Sequence, residues 1–532
     1  MATNSNDKFI KVLKMSEADV AQITADNIVE IYSQMSKELE RRKFLYDRYT
    51  REEELNEYFD ASDEERKTLK SVVPLEHSSV DTAVGYILGK PVTYYSRKTA
   101  DTEEYIDIFG NKRVRVKKQN ADEMLTVLLN VLKNNNEAEH NINLIRDTLV
   151  CRTAYELIYR NEDGDIEFAK GNPLTDFAIY NLDIKPKLIG YIRKYEQTSY
   201  ITNTTKTIYE LRTKEKAVKF IDDNGKMTTE GLFRNAVGEM QELLPASTPF
   251  GVVEYPMPGR IGFFEQQLPE VMEYEKSKTD IKQLLRYNQE TAKLIVAGME
   301  MPDDIPDSEK EDYIVDILTS NVLFAGDNPD GVNAFKWLTK QIDDAVFEHK
   351  KGGEKNDIYS TLGMVNPSES DAVYQNYLAL RYKMYGLDQK ASELWTTYEK
   401  GLLTRAKIII ALYNEQNKTD YDASVVDCTF TANIPVDKAT EMAMFGQLNG
   451  LVSRETVYSM SSFIENPHTE VERLNQQRID DAKIEAQILQ ITAEATESDI
   501  ATPNNVTGQE TSKTAQNNEV DANGEAQQNK SI

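Results

Sequence analysis

Apolar residues recur every three or four positions over much of the chain, and where they switch to alternation the local structure must change from helix to strand. Val20, Ile23, Ile28 and Ile31 keep helical spacing and run into ELERRKFLYDRY, whose charges alternate in sign. Residues 10 to 59 therefore read as helical with one apolar side. Val80, Val84, Ile87 and Leu88 share one face of a further helix that ends at Gly89, and Pro91 opens an extended run. Residues 121 to 150 hold two more amphipathic helices. Then the period changes. Tyr155, Leu157 and Tyr159 alternate with Glu156 and Arg160, Asp163-Gly164 supplies a tight turn, and Ile166 and Phe168 resume beyond it, which predicts a hairpin. Strands through IGYIRKYE, KTIYELR and KAVKFI follow, and VVEYP closes the mixed region before a Pro-Gly break.

The second half is mostly helical. A long polar helix over 262 to 290 carries Leu268, Val271, Met272, Ile281, Leu284 and Leu285. Within a compact insert, 291 to 338, LIVAG, NVLFAG and AFKWL read as short strands around a helix EDYIVDILTS. A helix-prone stretch, 339 to 362, is interrupted by Gly352-Gly353, and the break GMVNPSESD precedes a helix from about 371 to 417. The strand ASVVDCTFTANIP comes next. Residues 436 to 490 read as helices, with Ser453 a cap and Asn466-Pro467 a cap and first turn. From about Thr496 large apolar residues nearly vanish, which predicts disorder.

Composition narrows the class. A chain of 532 residues, 40% hydrophobic, exceeds one core and predicts three or four domains. No run of eighteen apolar residues occurs and MATNSNDKFIKVLK lacks a signal-peptide stretch, so the expected protein is soluble and stays in the cytoplasm where it is made. Cys151 and Cys428, far apart, point to reduced structural thiols. A net charge of −27 argues against a protein that grips nucleic acid by neutralising phosphates. The acidity concentrates in the insert, where Glu300 to Asp330 holds ten acidic residues against Lys310 alone.

Catalytic patterns fail one by one. Gly85 and Gly89-Lys90 imitate a phosphate-binding loop, but the spacer is one residue short and Pro91 replaces the hydroxyl residue that would reach magnesium. No nucleophile elbow occurs, and His77, His140, His349 and His468 lack zinc-protease spacing. The acidic turns at Gly164, Gly225 and Gly331 lack the leading aspartate of a calcium loop, since Tyr159, Phe220 and Gly326 stand there. KRVRVKK, 112 to 118, is the one basic cluster; an edge strand guarded by charge and a phosphate contact explain it equally well.

The order of five stretches resembles the portal proteins of tailed bacteriophages, of the kind typical of phages of Gram-positive hosts. They are Gly89-Lys90-Pro91-Val92-Thr93-Tyr94-Tyr95; Ala154-Tyr155-Glu156-Leu157 with Asp163-Gly164; Val253-Glu254-Tyr255-Pro256 before a long helix; the helix ending EKGLLTRAKIIIALYN; and ANIPVDKATEMAMFGQLNGLVSRETVYSMSSFIENPHTEVERL. Together they span most of residues 20 to 480.

The resemblance implies an α+β, mainly helical subunit and a ring of about twelve copies at one capsid vertex, closed by head-to-tail contacts. It divides the chain into a wing (1 to 260, resumed over 374 to 434), stem helices (261 to 290 and 339 to 362), a clip (291 to 338), a tunnel loop (363 to 373), a crown (435 to 490) and an acidic tail (491 to 532). The tunnel loop, Gly363, Asn366, Pro367, Ser368, Glu369, Ser370 and Asp371, would surround double-stranded DNA passing without sequence specificity. Glu300, Asp303, Asp304, Asp307 and Glu309 of the clip would dock the terminase motor and later the head-completion proteins. Major capsid and scaffolding proteins are further implied partners; no cofactor, metal or catalytic residue is implied, and ATP hydrolysis would belong to the terminase. Tyr374-Gln375-Asn376-Tyr377 departs from a small Ser-Gly-x-Ala stretch of relatives, which leaves the loop's register open. The competing expectation is a cytoplasmic scaffold or enzyme with an incidental acidic surface.

Overall fold

The structure is a computed structural model that describes residues 11–96, 102–106, 112–116, 121–291 apart from 224, 235–239 and 245–248, then 293–297, 322–325, 334–338, 344–366, 382–433 and most of 442–500. It divides into two units, residues 1–447 and 448–532.

The helical N-terminal region is broken into Glu17–Ala21, Ile28–Ser33, Ser36–Thr50 and Glu52–Asp60. The last break is at Arg51, whose left-handed backbone (φ 55) turns the chain between two helices. Leu13–Lys14 ahead of these helices is a short strand, pairing parallel with Phe177–Tyr180 at the edge of a six-stranded sheet. Leu188–Ser199, Thr204–Thr213, Ala217–Asp223 and Lys226–Gly231 continue that sheet as an antiparallel meander. Ile23, Ile28, Ile31 and Met35 cover Phe177, Ile192, Leu211 and Phe220, which makes one closed apolar core.

A second sheet has three antiparallel strands, with Thr153–Arg160 between Val252–Pro256 and Ile166–Lys170. The hairpin predicted from the alternation is this strand and its neighbour, but the charged alternate position does not face water. Every residue from Thr153 to Ile158 is buried. Tyr155 and Leu157 pack with Ala178 and Tyr191 of the six-stranded sheet, while Ala154 and Ile158 face a larger helical core. Period 2 here sorts residues between two cores instead of core and solvent.

The larger core is closed by the helix Tyr385–Asn417, whose Leu394, Leu402, Ala406 and Ile409 are buried against Ile145, Leu149 and Tyr255. On the same face stands Arg405. Its guanidinium bonds Glu156 and Asn141, and Glu156 also accepts from Tyr255 Oη at 2.6 Å. Thr93–Ser96 pairs antiparallel with Val426–Thr429, and both cysteines are buried in this core.

Leu268–Thr291 and Asp344–Leu362 are two long helices, and between them in sequence lies a small sheet. Its central strand Lys293–Ala297 runs parallel to Val322–Ala325 and antiparallel to Ala334–Leu338, the three strands expected of the insert. The expected helix EDYIVDILTS lies outside the described residues. Two expectations need correction. Gly352-Gly353 does not interrupt the second helix, which runs through both glycines; one helix can absorb about 1 kcal/mol per glycine when neighbouring turns are packed. The C-terminal helix Pro467–Ile500 continues to Ile500, four residues past Thr496, and the expected tail beyond it lies outside the described residues. In that same unit Ser453 Oγ accepts from Thr456 N at 3.2 Å and caps Arg454–Ser459, as expected.

Candidate functional site: a tethered helix pair and the turn at Gly363

Leu268–Thr291 starts with proline in its first turn, where the missing N–H costs nothing. A buried charge cluster then fixes it to the N-terminal helices. Arg51 Nη2 lies 2.6 Å from Glu275 and 3.0 Å from Glu76, and Arg48 Nη2 reaches the same two carboxylates at 3.1 and 2.5 Å. The left-handed turn at Arg51 joins Ser36–Thr50 to Glu52–Asp60, so that Arg48 in the last turn of the first helix and Arg51 in the turn itself both reach Glu76 of Leu75–Leu88. One turn further on, Thr279 Oγ1 accepts from Ser71 N at 3.0 Å and Lys282 Nζ donates to Leu69 O at 3.0 Å.

Asp344–Leu362 packs along this helix, and Ser277 Oγ donates to Glu354 Oε1 at 3.3 Å. Above that contact, Lys278, Lys351 and Lys355 gather around a cleft of about 750 Å³ whose walls include Val73, Tyr274 and Tyr359. Burial, followed by the charges of Lys351 and Lys355, pulls the Lys278 ammonium below its usual range. A cluster of three lysines is conspicuous in a chain of net charge −27.

The second helix ends at Gly363 in a Schellman arrangement: Met364 N donates to Tyr359 O at 2.9 Å and Gly363 N to Ser360 O at 3.0 Å. Gly363 is left-handed (φ 75), and a Cβ there would lie 2.7 Å from backbone atoms of Gly386 and Leu387. The chain thus leaves the helix and returns to it at nearly the same point. Lys390, one turn into Tyr385–Asn417, donates to the carbonyls of Thr361 and Leu362, both at 3.1 Å.

Of the residues expected in the tunnel loop, Gly363 makes this turn and Asn366 is buried, its Nδ2 donating to Asn356 Oδ1. Pro367, Ser368, Glu369, Ser370 and Asp371 lie outside the described residues, as do Tyr374 to Tyr377 and the acidic residues Glu300, Asp303, Asp304, Asp307 and Glu309. The basic run pairs as Lys112–Val116 with Thr102–Ile106, with Glu103 opposite Arg115 in the register. Gly89-Lys90 sits at the C-terminal end of Leu75–Leu88, the end opposite to the one that attracts phosphate.

Sequence reasoning did not single out Arg51, Glu76, Glu275, Gly386 or Lys390. Arg405 did carry a readable signal, a charge on the stripe Leu402, Ala406 and Ile409. Among the described residues no group of three or more His, Cys, Asp or Glu is placed to hold a metal ion, and no helix is long and apolar enough to cross a membrane. What the arrangement provides is a rigidly tethered helix pair carrying a small sheet at one end and a clamped turn at the other.

Residues 29–483 match the model of a family described as phage portal protein, SPP1 Gp6-like. The chain belongs to that family. It also resembles a chain in the virion of a native gene transfer agent particle, with 12% identity and a TM-score of 0.39 over 74% of this chain and 90% of that one. No curated protein sequence matches it. A host of the Gram-positive kind, expected from the sequence, is a finer statement than this match carries.

Proposed function

We propose that about twelve copies of the chain form a ring at one capsid vertex, through which double-stranded DNA enters and leaves the head. The family match over residues 29–483 carries the reading. In it, Leu268–Thr291 and Asp344–Leu362 are the stem, the strands between 291 and 338 belong to the clip, 363 to 373 is the tunnel loop, 435 to 490 the crown, and the two sheets with Tyr385–Asn417 the wing. In this reading the Arg48, Arg51, Glu76 and Glu275 cluster is what would hold the stem to the wing. A tethered pair of helices suits a conduit that must keep its bore while DNA moves, and weakly attractive or repulsive walls let a duplex slide where many lysine contacts would hold it. The chain is read as a passage and docking platform with no catalysis of its own; packaging energy would come from a separate terminase.

Mass in solution tests the ring. Light scattering after size exclusion should give a particle near twelve times 60.7 kDa with a central hole in negative-stain images. Monomers alone at every concentration, with capsid proteins present, would remove the reading. The clip's role has its own test: replacing Asp303, Asp304, Asp307 and Glu309 with Asn or Gln should leave the ring intact and impair packaging by weakening a steered contact with a basic partner. Unchanged packaging would dismiss it. For the tunnel loop, a bulky maleimide on Ser368→Cys or Ser370→Cys should arrest packaging.

A further inference from the structure

The packed helix pair gathers three ammoniums at one cleft. Tyr274 and Lys278 stand at i and i+4 on Leu268–Thr291, and Lys351, Lys355 and Tyr359 keep the same spacing on Asp344–Leu362. Lys278 Nζ lies 5.7 Å from the centre of the Tyr274 ring, and Lys355 Nζ 5.9 Å from that of Tyr359. Both rings are buried, so each supports a lysine stem from below and holds its ammonium at the cleft.

The wall they line carries no opposite charge. Among the described residues around the cleft there is no aspartate, glutamate or arginine, in a chain with 89 acidic residues. Glu354, beside Lys355 in sequence, accepts instead from Ser277 Oγ and pairs with Lys350 at 3.6 Å. After burial, the charges of Lys351 and Lys355 are what lower the Lys278 ammonium, so an anion among the three relieves a repulsion built into the fold. Pro74, Leu75 and Ser78, at the start of Leu75–Leu88, border the same cleft, and Pro74 at the N-cap offers that helix no side-chain cap for its positive end. Gly352, also on the wall, has nothing within 4 Å of where a Cβ would lie, which leaves room for a ligand oxygen near the backbone.

We propose that this cleft binds a phosphate group, held by Lys278, Lys351 and Lys355 with the Ser78 hydroxyl and the first turn of Leu75–Leu88 as further donors. Three convergent ammoniums call for a ligand with more than one negative charge, such as a phosphate dianion or a run of phosphodiesters. Lysines act as point charges that suit a tetrahedral phosphate, whereas a planar carboxylate is matched by the fork of arginine, and no arginine stands in the described wall. The same chemistry serves a free polyphosphate and the backbone of a nucleic acid. The site is independent of the ring reading, since it needs only the helix pair and residues 73 to 78 of one subunit.

The test is chemical protection of the full, unaltered chain. Lysine acetylation by an N-hydroxysuccinimide ester, read by mass at each residue, should slow by about fivefold or more at Lys278, Lys351 and Lys355 when sodium tripolyphosphate or a short DNA duplex of arbitrary sequence is added. Lys276, which lines a different cleft on the same helix, should not change. Protection by tripolyphosphate alone assigns a free polyphosphate, and protection by the duplex, with or without tripolyphosphate, assigns a nucleic-acid backbone. Lys278→Gln with Lys351→Gln should weaken calorimetric binding of the protecting probe by about tenfold or more, as the loss of charge-assisted hydrogen bonds requires, while Lys276→Gln should not. If neither probe protects the three lysines, if Lys276 is protected equally, or if poly-glutamate protects them as well as the phosphate probes do, the cleft is not a phosphate site.

Discussion

Arg405 and Glu156 meet at 2.9 Å with side-chain exposures of 1% and 0%. Burial pushes the Glu156 carboxyl up, but Arg405, then His140 and Tyr255, outweigh it and hold the group below the usual carboxylate range. Arg405→Met should lower the unfolding free energy by roughly 3–5 kcal/mol, because it leaves a carboxylate uncompensated in the core. Adding Glu156→Leu should recover part of that loss. Urea denaturation of the two variants checks it, and an unmoved midpoint for the single change would contradict the burial of the pair.

Asp176 titrates in the opposite sense. Burial raises its carboxyl to about 6 against hydrogen bonds from Tyr191, Thr175 and Asn172. The folded state then holds a proton that the unfolded state has lost between about pH 4 and pH 6, so this group's contribution to stability declines as pH rises through that window, by about 1.4 kcal/mol per pH unit at most. Asp176→Asn should flatten that slope. Thermal unfolding from pH 4 to 7 would show it, and an identical slope in both proteins would refute the assignment.

Glycine-to-alanine changes within Asp344–Leu362 and at the turn that ends it should differ in sign. At Gly363 the left-handed backbone and the 2.7 Å approach to Gly386 make Gly363→Ala destabilising by about 1–3 kcal/mol. At Gly352 or Gly353, where space is open, the same change should stabilise the isolated subunit by up to about 1 kcal/mol. Melting temperatures of the three variants decide this; a common sign would mean the turn is not built as described.

Both thiols should resist labelling. Burial pushes Cys428 up to about 12 and Cys151 further. Maleimide at neutral pH should modify neither in the folded protein and both in denaturant, as read by mass. Rapid labelling of the native chain would place them elsewhere. This inertness also lets introduced cysteines be read without removing the native pair.

Local periodicity was enough to read the helices around Val80 and Leu402, the hairpin at Asp163-Gly164, the strands at Lys293, Val322 and Ala334, and a glycine stop after Leu362, since each depends on neighbours within a few residues. The linear order of those pieces was also enough to expect the family. Tertiary structure decided what the second side of each element meets. Glu156 alternates with apolar residues as a solvent-facing residue would, yet Arg405 arrives from 249 positions away to bury it. Gly352-Gly353 carries the composition of a break, and packing along Leu268–Thr291 keeps the helix continuous through it. Arg51 lies two residues past the run of alternating charge and carries no signal of its own, and becomes the tether of Leu268–Thr291 only when Glu76 and Glu275 converge on it. The division has one cause: a sequence pattern records which side of an element is apolar, whereas the partner of a buried charge is chosen by chain segments that only folding brings together.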